Sequence, residues 1–100
     1  MRKVFIQPQA RADLLDIWNY ISERSPSAAN TVAQKLEDEI GELALMPGKG
    51  RKRAEVRQPP YRFWRVYSYI IAYRYDDASF TVVRVLHGRR SFRGLFGHQP

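Results

Sequence analysis

Cysteine is absent from the chain. That excludes a disulfide scaffold, a thiolate metal site and a cysteine nucleophile, and it is compatible with a reducing compartment. Histidine is scarce: His87 and His98 are the two present, and without cysteine they make no recognised metal-ligand spacing. No metal and no cofactor is expected. Long apolar runs are missing as well; no segment approaches the roughly 18 residues of a membrane span. The start, Met1-Arg2-Lys3-Val4-Phe5-Ile6-Gln7-Pro8, is basic, but its apolar run is too short for a signal-peptide core. A cytoplasmic protein without a membrane partner is therefore expected. Acidic residues are the last shortage, and a local one. Residues 1–48 hold five Lys/Arg against seven Asp/Glu, a net of −2, whereas residues 49–100 hold twelve against three, a net of +9. A polyanion or an acidic protein is the natural partner of the second half, against the alternative of a merely solubilising basic surface.

What is present reads as one small domain over residues 1–90, followed by a flexible or partner-bound tail, 91–100. Hydrophobic residues are 44% of the 100, ordinary for a globular chain. Lys3–Ile6 is a short β-prone run stopped by Pro8. Leu14, Ile17, Trp18 and Ile21 then fall at helical spacing, with Arg11, Asp13, Asp16, Asn19 and Glu23 opposite, which predicts a helix from about Ala10 to Arg24. Ser25-Pro26 caps and opens a second helix. Its stripe of Ala29, Val32, Ala33, Leu36, Ile40, Leu43 and Ala44 ends at Met46-Pro47-Gly48. So short a link makes the two helices an antiparallel hairpin.

Gly48-Lys49-Gly50-Arg51-Lys52-Arg53 is a glycine-loosened basic loop, without the spacing or preceding strand of a nucleotide-binding P-loop. Gln58-Pro59-Pro60 is a further break. Beyond it the period becomes two, and Tyr61–Arg65, Tyr69–Tyr75 and Ser79–Leu86 read as strands, with a turn at Asp76-Asp77-Ala78. The fold class is α+β with order β-α-α-β-β-β: an N-terminal strand and a helical hairpin packed on one face of a small antiparallel sheet. The other face is then free to present polar and basic side chains.

Alternation places Tyr69, Ile71, Tyr73 and Tyr75 on one side of their strand, and Ile70, Ala72 and Arg74 on the other. In the last strand it sets Val83 and Val85 against Val82, Arg84 and Leu86. Arg74 and Arg84 are thus expected to share a face, joined by Arg62 or Arg65. Such a guanidinium cluster beside tyrosines suits phosphate contact and base stacking, unless these arginines pair with carboxylates instead. His87, between the last strand and Gly88-Arg89-Arg90, is a candidate acid–base group or phosphate ligand, or a histidine bonded to the turn backbone. Asp13 and Asp16 on a solvated helix face do not suggest a catalytic pair. No helix is basic enough to enter a nucleic-acid groove.

The ordered residues resemble a known family. Ala12-Asp13-Leu14 running into Ile17-Trp18-Asn19-Tyr20-Ile21 resembles the first helix of ParE-type toxins of the ParE/RelE superfamily. Ser27-Ala28-Ala29 through Leu43-Ala44-Leu45-Met46-Pro47, with Gly50-Arg51, resembles their second helix and its exit. Arg62-Phe63-Trp64, Tyr69–Arg74 and Val83-Arg84-Val85-Leu86-His87-Gly88-Arg89-Arg90 resemble their sheet. The resemblance spans roughly residues 3–92 and implies the same fold as the periodicity. It further implies the toxin of a type II toxin–antitoxin module, inhibiting DNA gyrase by contact and held in a hetero-oligomer by a ParD-like antitoxin. Leu14, Trp18, Tyr20, Ile21, Tyr61 and Tyr73 are then expected to bind the antitoxin. Arg62, Arg65, Arg74, Arg84, His87, Arg89 and Arg90 are expected to face the target. Two alternatives stand beside this: a non-toxic nucleic-acid- or partner-binding member, and a RelE-like endoribonuclease cutting messenger RNA on the ribosome. The ribonuclease would rely on His87, Arg84, Arg74 and Arg65, but the strands offer no lysine or glutamate as base, and arginine stays protonated.

Overall fold

The computed structural model describes residues 2–53 and 61–88. The break at Gln58-Pro59-Pro60, Arg89, Arg90 and the tail 91–100 lie outside the described residues. Strand β1 (Lys3–Ile6) leads directly into helix α1 (Pro8–Ser22). The helix begins and ends two residues earlier than its apolar spacing predicts. Pro8, which stops the strand, is also its opening residue, because a residue without an N–H loses nothing in the first turn. Helix α2 (Pro26–Leu45) opens as expected, with the Ser25 hydroxyl accepting from the Ala28 N–H at 3.2 Å. A 3-10 turn, Pro47–Lys49, closes it. Trp18 Nε1 donates to Asn30 Oδ1 at 3.0 Å and ties the hairpin across its helices.

Strands β2 (Arg62–Val66), β3 (Tyr69–Tyr75) and β4 (Ser79–His87) follow, and the sheet order is β1-β4-β3-β2. The β2–β3 and β3–β4 pairs are antiparallel. The N-terminal strand departs from a purely antiparallel sheet: it pairs parallel to β4, Lys3 opposite Ser79 through Ile6 opposite Val82. The whole helical hairpin lies between them in the chain, which gives the crossover that a parallel pair requires. Tyr67, in the two-residue turn after β2, has φ 54°, a left-handed conformation that costs a non-glycine residue about 1–2 kcal/mol.

Leu36, Ile40 and Leu43 of α2 meet Ile71, Tyr73, Phe80, Val82 and Val85 of the sheet in the main core. Each fully buried aliphatic or phenyl side chain there contributes about 1.5–3 kcal/mol. The opposite sheet face is not the polar surface expected. Phe63, Ile70, Ala72, Val83 and Leu86 form a second apolar cluster, none more than 4% exposed. The simple alternation of β4 also fails. Ala72 pairs with Arg84 but Tyr73 with Val82, so Val83 is an extra residue in a β-bulge. The bulge shifts the phase, so Val82 and Val85 share the helix-covered core while Val83 and Leu86 join the other cluster.

Candidate functional site

The expected arginine cluster is dispersed. Arg84 Nε donates to Asp13 Oδ2 at 2.8 Å and Nη2 to Oδ1 at 2.9 Å, while the Val85 N–H donates to Oδ2 at 2.9 Å. β1 ends opposite Val82, and Asp13 of α1 takes over the edge of β4 beyond it. Asp13 is 7% exposed, a correction to its reading as a solvated residue. Its carboxylate holds the Arg84 guanidinium even above the usual arginine range. Arg84, expected to face the target, is thus tied to α1 through a carboxylate while it still lines the groove beside His87.

Arg62 is committed elsewhere. Its Nη1 donates to the Gly48 and Gly50 carbonyls at 3.3 and 2.8 Å, and its guanidinium lies 6.0 Å from the Tyr75 ring centroid. Tyr73 fastens the same loop: its hydroxyl donates to the Pro47 carbonyl and accepts from the Gly50 N–H at 3.0 Å. Burial pushes this phenol up. With 0% exposure, Tyr73 supports the loop from inside and cannot belong to the antitoxin surface expected of it. Arg74 is half-buried on β3 opposite Thr81, and Arg65 is exposed on β2. The bulge, Asp13 and the loop carbonyls draw the four arginines to different places.

Two concave surfaces gather the remaining candidates. The first, of 620 Å³, lies between α1 and the ends of β3 and β4, where Asp16, Tyr20, Tyr69 and His87 face one another across Arg84 and Val85. Tyr69 and His87 meet edge to face, with centroids 5.7 Å apart, and burial raises the Tyr69 phenol. Tyr20, expected on the antitoxin side, and His87, expected on the target side, thus line one groove. Leu14 and Trp18 belong to a narrower apolar cleft between the helices, with Ile17, Ala33 and Leu36. Ile21 is half-buried, and Tyr61 packs on the second apolar cluster.

The second concavity, of 490 Å³, was missed as a site in the sequence. Arg51, Lys52, Arg53 and Arg65 surround Phe63, Trp64 and Ile70. The basic run was legible; its docking on β2 was not. Arg51 and Phe63 exchange two backbone hydrogen bonds, of 2.8 and 2.7 Å. Behind it, Trp64 Nε1 donates to Glu39 Oε1 at 2.7 Å, and Lys35 lies 3.4 Å from the other oxygen. The indole bond, more than the lysine, holds the Glu39 carboxyl below its ordinary value against the opposing effect of burial.

RNA cleavage by a 2′-hydroxyl needs a base, an acid and a cation around one phosphate. Among the described residues, Tyr69 stacks edge-on to His87, and the cation lining their groove is Arg84, held by Asp13. Among the described residues no group of three metal-ligating side chains occurs, and no helix is long and apolar enough to cross a membrane.

Comparison with known proteins agrees with this architecture. The sequence model described as "ParE toxin of type II toxin-antitoxin system, parDE" matches residues 4–92. Toxin RelE2 of Caulobacter vibrioides is 34% identical over 87 residues, covering 82% of this chain and 90% of the relative. Toxin RelE3 of the same organism is 25% identical over 87 residues, covering 87% and 95%. A solved structure, titled "Chromosomal ParDE TA system from P. aeruginosa", superposes with a TM-score of 0.72 at 19% identity, covering 87% of this chain and 96% of that one. At that identity the likeness speaks for the fold, and the match over residues 4–92 speaks for the lineage. The chain belongs to the ParE toxin family of type II toxin–antitoxin systems.

Proposed function

We propose that this toxin acts in the cytoplasm by binding DNA gyrase and stabilising its cleaved-DNA state through contact, not by cutting messenger RNA. The observation that carries the reading is the Asp13–Arg84 pair. It engages with a carboxylate the arginine that a ribonuclease would set beside His87. An exposed imidazole edge-on to a tyrosine suits a contact surface better than a proton-transfer chain. We further propose a ParD-like antitoxin that covers the hairpin cleft at Leu14 and Trp18 and extends to Tyr20 in the adjoining groove.

A paired assay tests the target. Purified toxin is added to a gyrase supercoiling and DNA-cleavage reaction, and separately to ribosomes carrying messenger RNA. Gyrase inhibition with intact message is the expected result. Message cleavage with gyrase unaffected would overturn the proposal and make His87 the first residue to replace.

A further inference from the structure

We infer that the concavity beside β2 is a binding site for the phosphodiester backbone of DNA. Four cations, Arg51, Lys52, Arg53 and Arg65, line it, and its described lining contains no carboxylate. Arginine forks match phosphate oxygens two at a time. Phe63 and Ile70 lie beneath the cations, and the Arg53 guanidinium lies 5.4 Å from the Phe63 ring centroid.

The backbone favours DNA over an acidic peptide. An extended peptide gains most of its affinity by adding a strand to an open sheet edge. Here Arg51 already occupies both backbone positions of Phe63 on the outer edge of β2. A phosphodiester chain needs no backbone partner and is held by side-chain cations alone.

Gly88 adds an independent observation. A β-carbon at this position would lie 3.2 Å from Arg65 Nη1 and 3.4 Å from the Ser68 carbonyl. Its absence leaves the Arg65 guanidinium its position at the end of the sheet. The site also lies away from the hairpin cleft proposed for the antitoxin, whose lining it does not share. DNA contact of this kind deepens the gyrase reading and rests on it in part, because a poison that stabilises a cleaved complex gains by touching both components.

The experiment is fluorescence anisotropy of a labelled DNA duplex titrated with toxin alone, without gyrase, from about 50 to about 200 mM salt. Wild type is expected to bind at low salt and weaken steeply as salt rises. The double variant Arg51→Ala/Arg65→Ala should bind at least tenfold more weakly. Its plot of log K against log salt should flatten by roughly 0.9 for each phosphate that the variant no longer neutralises. Arg51→Lys/Arg65→Lys should retain the slope, and Lys52→Glu should weaken binding at an unchanged thermal midpoint. No salt-dependent binding by wild type would overturn the inference, as would equal affinity in the folded alanine and Lys52→Glu variants. Tighter binding of polyglutamate than of DNA would also overturn it, in favour of an acidic protein ligand. Gyrase inhibition without DNA binding would sink this inference and leave the gyrase reading standing. DNA binding without gyrase inhibition would support the site and count against that reading.

Discussion

Arg84 and Asp13, 71 residues apart in sequence, meet through two parallel hydrogen bonds, and the same carboxylate closes the edge of β4 at the Val85 N–H. One side chain thus replaces a strand neighbour where β1 ends. The pair joins the first helix to the last strand.

Removing one partner should therefore be more damaging than removing both. Asp13→Ala leaves a mostly buried guanidinium and a strand N–H without acceptors, and is expected to cost about 3 kcal/mol. Asp13→Leu combined with Arg84→Met should cost less than Asp13→Ala, because no uncompensated charge remains. Urea unfolding of the three proteins checks the order; a double variant less stable than Asp13→Ala would refute it.

Tyr73 and Gly50 form a second sensitive pair. A β-carbon on Gly50 would press on the Tyr73 hydroxyl and lie 2.9 Å from two of its ring carbons. Gly50→Ala should destabilise by about 2 kcal/mol or more. Tyr73→Phe, which orphans the Gly50 N–H and the Pro47 carbonyl, should cost about 1–3 kcal/mol. The two effects should not add, since both act on one contact. Thermal unfolding of the single and double variants gives the coupling, and simple additivity would count against it.

Stability should fall in acid partly through Glu39. Its folded carboxyl titrates below the ordinary value of 4.5, chiefly because Trp64 donates to it. The contribution is complete above 4.5 and is lost as pH falls through the lower folded value. Asp76, which accepts from the Ser79 and Ala78 N–H groups, titrates low in the same sense. Glu39→Gln should flatten the acid limb of the stability curve without abolishing it. An unchanged limb in denaturant titrations from about pH 6 to about pH 3 would rule out the Glu39 contribution.

Replacing Trp18 should separate antitoxin binding from toxicity. Its indole lines the hairpin cleft and donates to Asn30. Trp18→Ala should cost about 1–3 kcal/mol of stability and about 2 kcal/mol of antitoxin affinity. Trp18→Phe should recover most of the packing. Calorimetric titration with the cognate antitoxin reads the affinity, and growth inhibition reads the toxicity. A folded Trp18→Ala protein that pairs normally but is no longer toxic would show that the cleft faces the target.

The helices and strands were legible because Leu36, Ile40 and Leu43 repeat on a helical period, while Tyr69, Ile71 and Tyr73 alternate. Those periods are local. The direction of β1 was not legible, since Lys3–Ile6 pairs equally well either way in isolation and its partner is set by the crossover. Asp13 looked solvated because its partner arises 71 residues later. The alternation of β4 failed at Val83 because a bulge is a property of two strands, not of one. The candidate site was hardest for the same reason. Arg62, Arg65, Arg74 and Arg84 share a residue type, but their carboxylate, carbonyl and aromatic neighbours divide them. The run Arg51-Lys52-Arg53 was plain in the sequence, yet its docking on Phe63 is a tertiary contact.

The position of β4 has a consequence for synthesis. β1, made first, depends on β4 for pairing, and β4 is the last described strand to leave the ribosome. Until residues 79–87 emerge, the first strand has no neighbour and Asp13 has no arginine. Such long-range pairing makes folding a late event. A message read only part-way therefore yields a chain whose first strand is unpaired and whose first helix lacks its tie to the sheet.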